Sequence, residues 1–287
     1  MIIGDYIELS RPKHWVKNGF VFMPVPFALA AGAHLDPLAF ALGLISFCIG
    51  TSAVYSFNDA KDAERDRAHD TKRNRPVASG RISKRGAYLW ALFLAAIGVI
   101  LALETGRIGT LIILSVYLCV NLFYSFGGKN VPLLDVFLLS AGFILRVLLG
   151  CVLLGVQASN WLLLCSYTLA LFVALAKRRA DVIKGLDGAH RPSLLGYNQS
   201  FLDQAMGITA SMTIIAYALY SIEAVVLIPH REFAALPFVA FAVLDYLRMA
   251  HVNKAGGSPV DTFLGSPALL ISGVGYLVAT LWSVKLP

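Results

Sequence analysis

Long apolar runs separated by short polar breaks dominate the chain of 287 residues. A hydrocarbon core of about 30 Å requires about 20 consecutive apolar residues in a helix that crosses it. Runs of that order recur nine times, each flanked by glycine, proline, asparagine or charge. They cover residues 15–34, 38–57, 86–104, 108–126, 131–154, 160–176, 205–227, 232–250 and 264–284. The pattern predicts an all-α, polytopic membrane protein with nine transmembrane helices, folded as one integral domain over residues 1–287.

The first run differs from the others because it contains Pro24 and Pro26. Proline removes a backbone donor and crowds the preceding turn, so we expect this helix to be kinked. Asp5 and Glu8 stand before the run, and the run is too long for the apolar region of a secretory signal. We therefore expect no cleavable signal peptide.

Basic residues are distributed unevenly between alternate connections. With nine spans, one side of the membrane holds 20 of the 24 lysines and arginines, and the other side holds only Arg107, Arg231 and Lys285. Short loops rich in these residues stay in the cytoplasm, which predicts an inner-membrane protein with a cytoplasmic amino terminus and an outside carboxyl terminus. The net charge of +7 is thus concentrated on one face, where nucleic acid, anionic lipid or a phosphorylated substrate would each fit.

Composition agrees with a membrane protein. Hydrophobic residues make up 57% of the chain and charged residues 14%, with a mean hydropathy of +0.70, whereas soluble domains carry about a quarter charged residues. The histidines are scattered and form no HExxH or Cys-His grouping. The four cysteines lie inside predicted spans at unrelated spacings, and we interpret them as small apolar fillers: Cys48, Cys119, Cys151 and Cys165.

Acidic residues follow the second run directly, in the segment "NDAKDAERD" at residues 58–66. If the helix continues past Phe57, the side chains of Asn58, Asp62 and Asp66 fall at i, i+4 and i+8 in one stripe. Asp59 is then turned about 100° away. Stacked carboxylates repel, so a cation must lie among them, and hard oxygen ligands at this spacing suit Mg²⁺.

The same loop continues with bases that could neutralise a diphosphate: Lys72, Arg73, Arg75, Arg81, Lys84 and Arg85. The alternative is a solvated, positive-inside loop in which the acids only balance the bases. We prefer that interpretation for Glu64, Arg65, Asp70, Lys84 and Arg85. The acidic stripe continues a membrane helix and would point into the bundle, where ionisable groups are costly unless they are used.

A second charged loop, after the sixth run, begins "ALAKRRADVIKGLDG". Lys177 and Asp181 share a helix face at i and i+4, so they could pair with each other or with a ligand and its metal. Arg178 and Arg179 fit a topological anchor as well as a binding role. Together the two loops hold 14 of the 24 basic residues, and long loops in a compact bundle are usually functional or disordered.

Polar positions elsewhere add candidates. Arg146 lies deep inside a predicted span, so we expect it to face a cavity and bind an anion or a carboxylate. In "RPKHWVKN", Lys13 and Lys17 stand at i and i+4 with Asn18 beside them. Further supporting positions are Trp15, interpreted as an interfacial anchor, and Lys129 and Asp135 in "YSFGGKNVPLLD".

These segments resemble a known family. "NDAKDAERD" matches the NDxxDxxxD signature of the UbiA superfamily of intramembrane prenyltransferases, which implies a nine-helix fold with aspartate motifs at the cytoplasmic mouth. The second motif of its prenyl-transferring members, DxxxD, is not matched, because Gly185 stands four residues after Asp181. "RPKHWVKN", "HDTKRNRPVASG", "KNVPLLDVFLLSAGFILR" and "AKRRAD" instead resemble the branch that includes decaprenyl-phosphate phosphoribosyltransferase.

The resemblance implies a donor, phosphoribosyl pyrophosphate, and an acceptor, a polyprenyl phosphate, with no nucleic acid partner. Mg²⁺ and the donor would be held by Asn58, Asp59, Asp62 and Asp66. The donor and acceptor phosphates would be surrounded by Lys13, Lys17, Lys72, Arg75, Arg146 and Lys177, and Asn18, Lys129 and Asp181 complete the predicted substrate-binding set. Asp62, Asp66, Arg146 and Lys177 are the predicted catalytic residues. An ionised acceptor phosphate needs no general base, which agrees with the lack of a catalytic dyad.

Other functions remain open at the level of sequence. A prenyltransferase acting on an aromatic or other small acceptor shares the fold and the metal, but it needs fewer cations. A transporter is disfavoured because the acids cluster at the membrane edge, whereas transport sites lie near the middle of the bilayer. "RPVASG" superficially resembles lipid phosphatases, yet no histidine nucleophile follows it. A purely structural subunit leaves the two charged loops unexplained.

Overall fold

A computed structural model of the protein describes residues 2–68, 72–186, 188, 191–252 and 257–285. Asp70, interpreted above as solvated, lies outside these residues. Regular structure within them is helical, apart from an isolated antiparallel bridge between Leu227 and Val284. The predicted all-α class is therefore confirmed.

Eleven α-helices and four 3₁₀ helices follow one another along the described chain. The α-helices are α1 (Ile2–Ser10), α2 (Val25–Ala30), α3 (Pro37–Arg67), α4 (Lys84–Glu104), α5 (Ile108–Phe126), α6 (Leu134–Leu154), α7 (Asn160–Ile183), α8 (Gln199–Glu223), α9 (Leu236–Val252), α10 (Pro259–Leu264) and α11 (Pro267–Ser283). The 3₁₀ helices are Pro12–Phe22, Lys72–Asn74, Gly128–Asn130 and Pro192–Gly196.

Six of the predicted spans coincide with helices that are long and apolar enough to cross a membrane, namely α3 to α8. The two runs nearest the carboxyl terminus form α9 and α11, which are shorter, at 17 residues each. The prediction of nine spans is thus confirmed for six of them.

The first run is not the kinked helix that its sequence predicts. A 3₁₀ helix covers Pro12–Phe22, and α2 begins separately at Val25. Pro24 is the N-cap of α2 and Pro26 lies in its first turn. Proline is tolerated there because the first amides of a helix have no intrahelical acceptor. The prolines therefore start a new short helix instead of bending a long one.

The chain divides into two compact units. The first contains residues 1–23, 34–126 and 148–156, and the second contains residues 24–33, 127–147 and 157–287. The single domain predicted over residues 1–287 stays a prediction.

In the first unit, α3 and α4 approach closely through small residues. The Ser46 hydroxyl on α3 donates a 2.8 Å hydrogen bond to the carbonyl oxygen of Gly98 on α4. A Cβ atom at Gly98 would lie 3.3 Å from the backbone oxygen of Ser46 and 3.6 Å from the amide nitrogen of Gly50. Small residues let helices pack backbone to backbone, which holds helices together where lipid removes the hydrophobic driving force.

In the second unit, α7 packs against α8 and α9. The Thr213 hydroxyl donates to the Thr168 hydroxyl at 3.0 Å, which joins α8 to α7 inside the unit. Phe172 is 1% exposed and meets the Tyr246 ring edge-on, with ring centroids 5.5 Å apart. These contacts hold the middle of α7, ahead of the turns that carry the second charged segment.

We predict that Gly98→Leu lowers the stability of the protein, because the larger side chain must push α4 away from the backbone of α3. The expected loss is about 1–3 kcal/mol, measured as a lower midpoint of thermal unfolding in detergent. Gly207→Leu on α8 is the matched control, because a Cβ there meets nothing within 4 Å. Equal losses of stability in the two variants would contradict this account of the helix contact.

Candidate active site

The acidic segment of residues 58–66 is helical, as predicted. Helix α3 continues without interruption past Phe57 to Arg67, and its last turn carries Arg65 and Arg67. Basic side chains near a helix carboxyl terminus interact favourably with the helix dipole. A single rigid helix therefore presents Asn58, Asp59, Asp62 and Asp66.

Arg75 joins two of these acids. Its Nη1 lies 2.6 Å from Asp66 Oδ2 and 3.3 Å from Asp59 Oδ1. Both aspartates are buried, with 3% and 4% of their surface exposed. Seven residues turn an α-helix through about 700°, so Asp59 and Asp66 point within about 20° of each other.

The predicted stripe therefore needs a correction. Asp59 is not turned away from Asp66; instead the two share a face, and Arg75 bridges them. Asn58 lies farther round the helix, where its side-chain oxygen accepts a hydrogen bond from the Ser125 hydroxyl. Asp62 is half-buried on α3. At the spacing i, i+4, i+8 the side-chain direction turns by about 40° at each step. Asp66 therefore points closer to Asp59 than to Asn58.

Arg11 completes this cluster and is not among the site residues predicted from the sequence. Its Nη2 donates to Asp59 Oδ1 at 2.5 Å, and its guanidinium carbon lies 5.2 Å from the centre of the Tyr55 ring. Its backbone is left-handed, with φ 49°. Such a conformation is uncommon in a residue that is not glycine. The sequence signal was the arginine that opens "RPKHWVKN", which precedes a proline and a charged 3₁₀ helix.

The predicted residues of the amino-terminal motif lie on the 3₁₀ helix Pro12–Phe22. Lys13 is exposed and Lys17 half-buried. The expected shared face at i and i+4 assumed an α-helix, but at about three residues per turn the two lysines point about 120° apart. Asn18 is buried and its Nδ2 lies 3.1 Å from Cys48 Sγ. Trp15 Nε1 donates to Ser52 Oγ at 2.9 Å.

Lys72 is half-buried at the start of the short 3₁₀ helix Lys72–Asn74. The amide of Arg75 donates to the Lys72 carbonyl at 3.0 Å. This turn brings the Arg75 side chain back over α3, where it reaches the two buried aspartates.

The second unit contains a separate polar cluster around Asp135. This carboxylate is 0% exposed. The Tyr197 hydroxyl donates to Oδ1 at 2.6 Å, and the Ser193 hydroxyl donates to Oδ2 at 3.0 Å. Nε atoms of Arg178 and Arg191 lie 3.3 Å and 3.5 Å from Oδ2. Asp135 thus ties α6, α7 and the loop that precedes α8 into one ionic network.

The Tyr197 phenol works as a donor in this network. Burial, and then its hydrogen bond to Asp135, raise the pKa of Tyr197, so the phenol keeps its proton at neutral pH. The oxygen also accepts a hydrogen bond from the amide of Leu133 at 2.7 Å. Leu133 has a left-handed backbone with φ 65°. The phenol therefore links this strained residue to the buried carboxylate.

The anchor interpretation of Arg178 and Arg179 is wrong, because both are buried. Arg178 is 1% exposed and its Nη1 lies 2.6 Å from Asp181 Oδ2. Arg179 donates to the carbonyl of Ala250 at 2.7 Å and pairs with Asp203. The Asp181 carboxylate is therefore engaged by Arg178, while Lys177 lies exposed on α7.

Arg146 and Lys129 belong to the second unit as well. Arg146 is 5% exposed on α6; its Nη1 donates to the Gly142 carbonyl at 2.6 Å, and its guanidinium lies 5.3 Å from the Phe143 ring centre. A buried guanidinium needs such partners, and its predicted role with an anion stays a prediction. Lys129 is half-buried, and its carbonyl accepts from Arg191 Nε at 3.3 Å.

The donor set of the first unit fits a hard divalent cation in chemistry. Asp59, Asp66 and Asn58 offer carboxylate and amide oxygens on one helix, which is the ligand type that Mg²⁺ prefers. Within the part of the chain that the structure covers, no three histidine, cysteine, aspartate or glutamate side chains lie in a group that could hold a metal ion. Guanidinium groups of Arg11 and Arg75 pair with carboxylate oxygens of Asp59 and Asp66.

Sequence comparison gives consistent relatives. The profile of the UbiA prenyltransferase family matches residues 19–256. The chain is 32% identical to decaprenyl-phosphate phosphoribosyltransferase of Corynebacterium glutamicum, over 97% of this chain and 86% of that protein. It is 33% identical to the protein of the same name from Mycolicibacterium smegmatis, over 77% of this chain and 71% of that one.

Solved structures show the same fold. A UbiA homolog from Archaeoglobus fulgidus, bound to GPP and Mg²⁺, superposes with a TM-score of 0.73 at 18% identity, over 97% of both chains. A structure of digeranylgeranylglyceryl phosphate synthase gives a TM-score of 0.72 at 20% identity, over 99% of both chains. The predicted UbiA-type helical fold is confirmed.

We predict that Asp135→Asn strongly destabilises the second unit. Arg178 is almost completely buried, and loss of the facing charge leaves its guanidinium with less compensation. Removing one partner of a buried ion pair costs about 3–5 kcal/mol, which the midpoint of denaturant unfolding in detergent would measure. Asp261→Asn, at an exposed position in the first turn of α10, is the control and should change little. A wild-type midpoint for Asp135→Asn would show that the network contributes nothing.

Proposed function

The chain belongs to the UbiA prenyltransferase family, and on that premise we propose that it transfers 5-phosphoribose from phosphoribosyl pyrophosphate to a polyprenyl phosphate, releasing pyrophosphate. It is an integral membrane transferase. The observation that carries the proposal is the 32% identity, over 97% of the chain, to a decaprenyl-phosphate phosphoribosyltransferase. The buried acids and guanidinium groups of the first unit supply the charges that a metal-bound diphosphate requires.

The first unit provides the donor-binding residues in this proposal. Asn58, Asp59, Asp62 and Asp66 would hold Mg²⁺, and the bound ion would neutralise charge on the diphosphate. Arg75 binds phosphate oxygens through its guanidinium fork, which matches them in geometry, and Lys72 binds them as a point charge through its ammonium group. Lys13, Lys17 and Asn18 belong to the same unit and are assigned to the substrate phosphates, on the basis of the amino-terminal motif.

The reaction exchanges one bond at the ribose C1 atom for another. The bond from C1 to the pyrophosphate oxygen breaks, and an oxygen of the lipid phosphate bonds to C1 through a transition state with oxocarbenium character. Negative charge grows on the leaving pyrophosphate, so fixed cations such as Arg75 stabilise the transition state more than the ground state. The acceptor phosphate is already ionised at pH 7, and no side chain has to remove a proton.

Residues of the second unit are assigned roles from the motifs that contain them. Substrate binding is assigned to Arg146, Lys177, Lys129 and Asp181. A catalytic role is assigned to Arg146 and Lys177 as well. For Asp181 the ion pair with Arg178 favours a positioning role instead of direct contact with substrate. Asp135 holds Arg178 from the other side.

A lipid acceptor explains why such a transferase is embedded in a membrane. Its phosphate headgroup lies at the bilayer surface while its isoprenoid tail stays in the apolar phase. The uneven distribution of basic residues supports an inner-membrane location with the amino terminus and the active site on the cytoplasmic side and the carboxyl terminus outside.

The runner-up is transfer of an isoprenoid from its diphosphate to an aromatic or other small acceptor. It is favoured by the fold shared with a homolog that binds GPP. It is disfavoured by Gly185, which stands where the second acidic motif of prenyl-transferring members would place an aspartate.

The proposal predicts that purified protein, supplied with Mg²⁺, a polyprenyl phosphate and phosphoribosyl pyrophosphate labelled in the ribose, forms a lipid-extractable labelled product. Asp66→Asn should lower the rate roughly 100-fold or more, because it removes charge from the donor site. Glu64→Gln, two residues away on the exposed side of α3, is the matched control and should retain full activity.

Two results would count against this function. Absence of labelled lipid, together with turnover of a prenyl diphosphate and an aromatic acceptor, would favour the runner-up. Equal activity of Asp66→Asn and Glu64→Gln would contradict the assignment of donor binding to the acids of the first unit.

A further inference from the structure

Four side chains of the first unit form a charge-balanced cluster. Asp59 and Asp66 contribute two negative charges, and Arg11 and Arg75 contribute two positive charges. Asp59 Oδ1 receives both guanidinium groups, at 2.5 Å and 3.3 Å, while Asp66 Oδ2 receives Arg75 alone. The cluster therefore already satisfies its acids by itself.

We propose that Arg11 is a further donor-binding residue, which covers Asp59 until a diphosphate arrives and thereby makes divalent metal and diphosphate bind together. The inference rests on the assignment of a metal-bound diphosphate to this site, made under the proposed function. It adds a residue that the motif analysis did not select, and a direction of coupling that the motifs do not contain.

The two guanidinium groups oppose binding of a metal ion alone to Asp59 and Asp66. A dication that reaches Asp59 and Asp66 alone meets two guanidinium groups at the same oxygens, and like charges repel strongly where water is scarce. A diphosphate brings several negative charges with it. Arg11 and Arg75 can then turn to phosphate oxygens, for which guanidinium is well suited, and release the carboxylate oxygens to the metal.

The position of Arg11 supports such an exchange. Its side chain is 20% exposed, whereas that of Asp59 is 4% exposed, so the guanidinium forms the outer layer over the acid. The Tyr55 ring lies against the guanidinium and supports it without holding it by a further charge. Its left-handed backbone belongs to the class of strained conformations that cluster at ligand clamps and switches.

Coupling between two ligands is reciprocal, so it can be measured from either side. Removing the Arg11 charge should strengthen binding of metal alone and weaken binding of metal with diphosphate. A residue that only braces the fold would not shift the two affinities in opposite directions.

The experiment uses the full chain in detergent, with Mn²⁺ as a paramagnetic substitute for Mg²⁺ and inorganic pyrophosphate as the probe. Spectroscopic titration gives the affinity for Mn²⁺ alone, and equilibrium binding of labelled pyrophosphate at saturating Mg²⁺ gives the affinity for the complex. We expect Arg11→Gln to bind Mn²⁺ about tenfold more tightly than the wild type and the pyrophosphate complex about tenfold more weakly. Arg11→Lys keeps the charge and should stay near the wild type for Mn²⁺.

Two further variants make the result decisive. Arg107→Gln is the matched control, because Arg107 lies between α4 and α5 in the same unit, where it donates to the Val152 carbonyl, and should change neither affinity. Arg11→Gly also removes the guanidinium and suits the left-handed backbone, so it replaces Arg11→Gln if that variant folds poorly.

The inference is overturned if both charge-removing variants bind Mn²⁺ no better than Arg107→Gln, or if they bind the pyrophosphate complex as well as the wild type. Its failure is separable from failure of the proposed function. If the wild type transfers labelled ribose but the Arg11 variants show no change in either affinity, only the role of Arg11 is contradicted. If the two affinities shift in opposite directions but the enzyme uses only prenyl diphosphates, the proposed substrate is contradicted and the role of Arg11 is supported.

Discussion

An ionised side chain that leaves water must find an opposite charge, and this requirement organises both polar clusters of the protein. Desolvation costs several kcal/mol per ion, and it is offset only by close pairing with additional hydrogen bonds. Asp59 and Asp66 meet Arg75, and Asp135 meets Arg178 together with two hydroxyl donors. The helices that carry these groups are apolar along most of their length, and in these two clusters the buried acids are neutralised by arginines.

The two clusters satisfy this requirement in different ways. Around Asp135 the partners Arg178, Ser193 and Tyr197 are themselves buried, and only the more distant Arg191 is partly exposed, at 21%. The pair of Asp135 with Arg178 therefore suits a permanent structural joint. Around Asp59 and Asp66 the acids are buried but the arginines are partly exposed. Cations on an outer layer can leave for another anion, whereas a cation inside the protein cannot. The distribution of exposure therefore separates an architectural ion pair from an exchangeable one.

Sequence reasoning succeeded where the signal was local and repeated. Apolar runs located α3 to α8, and the spacing of the acids was interpreted on a helix that continues past Phe57, as α3 does up to Arg67. It failed where the outcome depended on partners distant in sequence. Arg11 lies 48 residues from Asp59, and no spacing rule relates them. The basic run of Arg178 and Arg179 fitted an anchor as well as a binding role, and the structure shows that each faces a buried carboxylate or a carbonyl. The 3₁₀ geometry of Pro12–Phe22 likewise separated Lys13 from Lys17.

The length of α3 has a consequence for how reactants from two phases can meet. Its 31 residues extend about 46 Å at 1.5 Å per residue, compared with about 30 Å of hydrocarbon and about 40–45 Å once the headgroup zones are included. If α3 crosses the hydrocarbon layer, its excess length of about 16 Å places its polar carboxyl-terminal turns, which carry the carboxylates, in a headgroup zone. A sugar phosphate dissolved in water and a lipid phosphate diffusing sideways both reach this level naturally. Neither reactant has to be lifted out of its own phase.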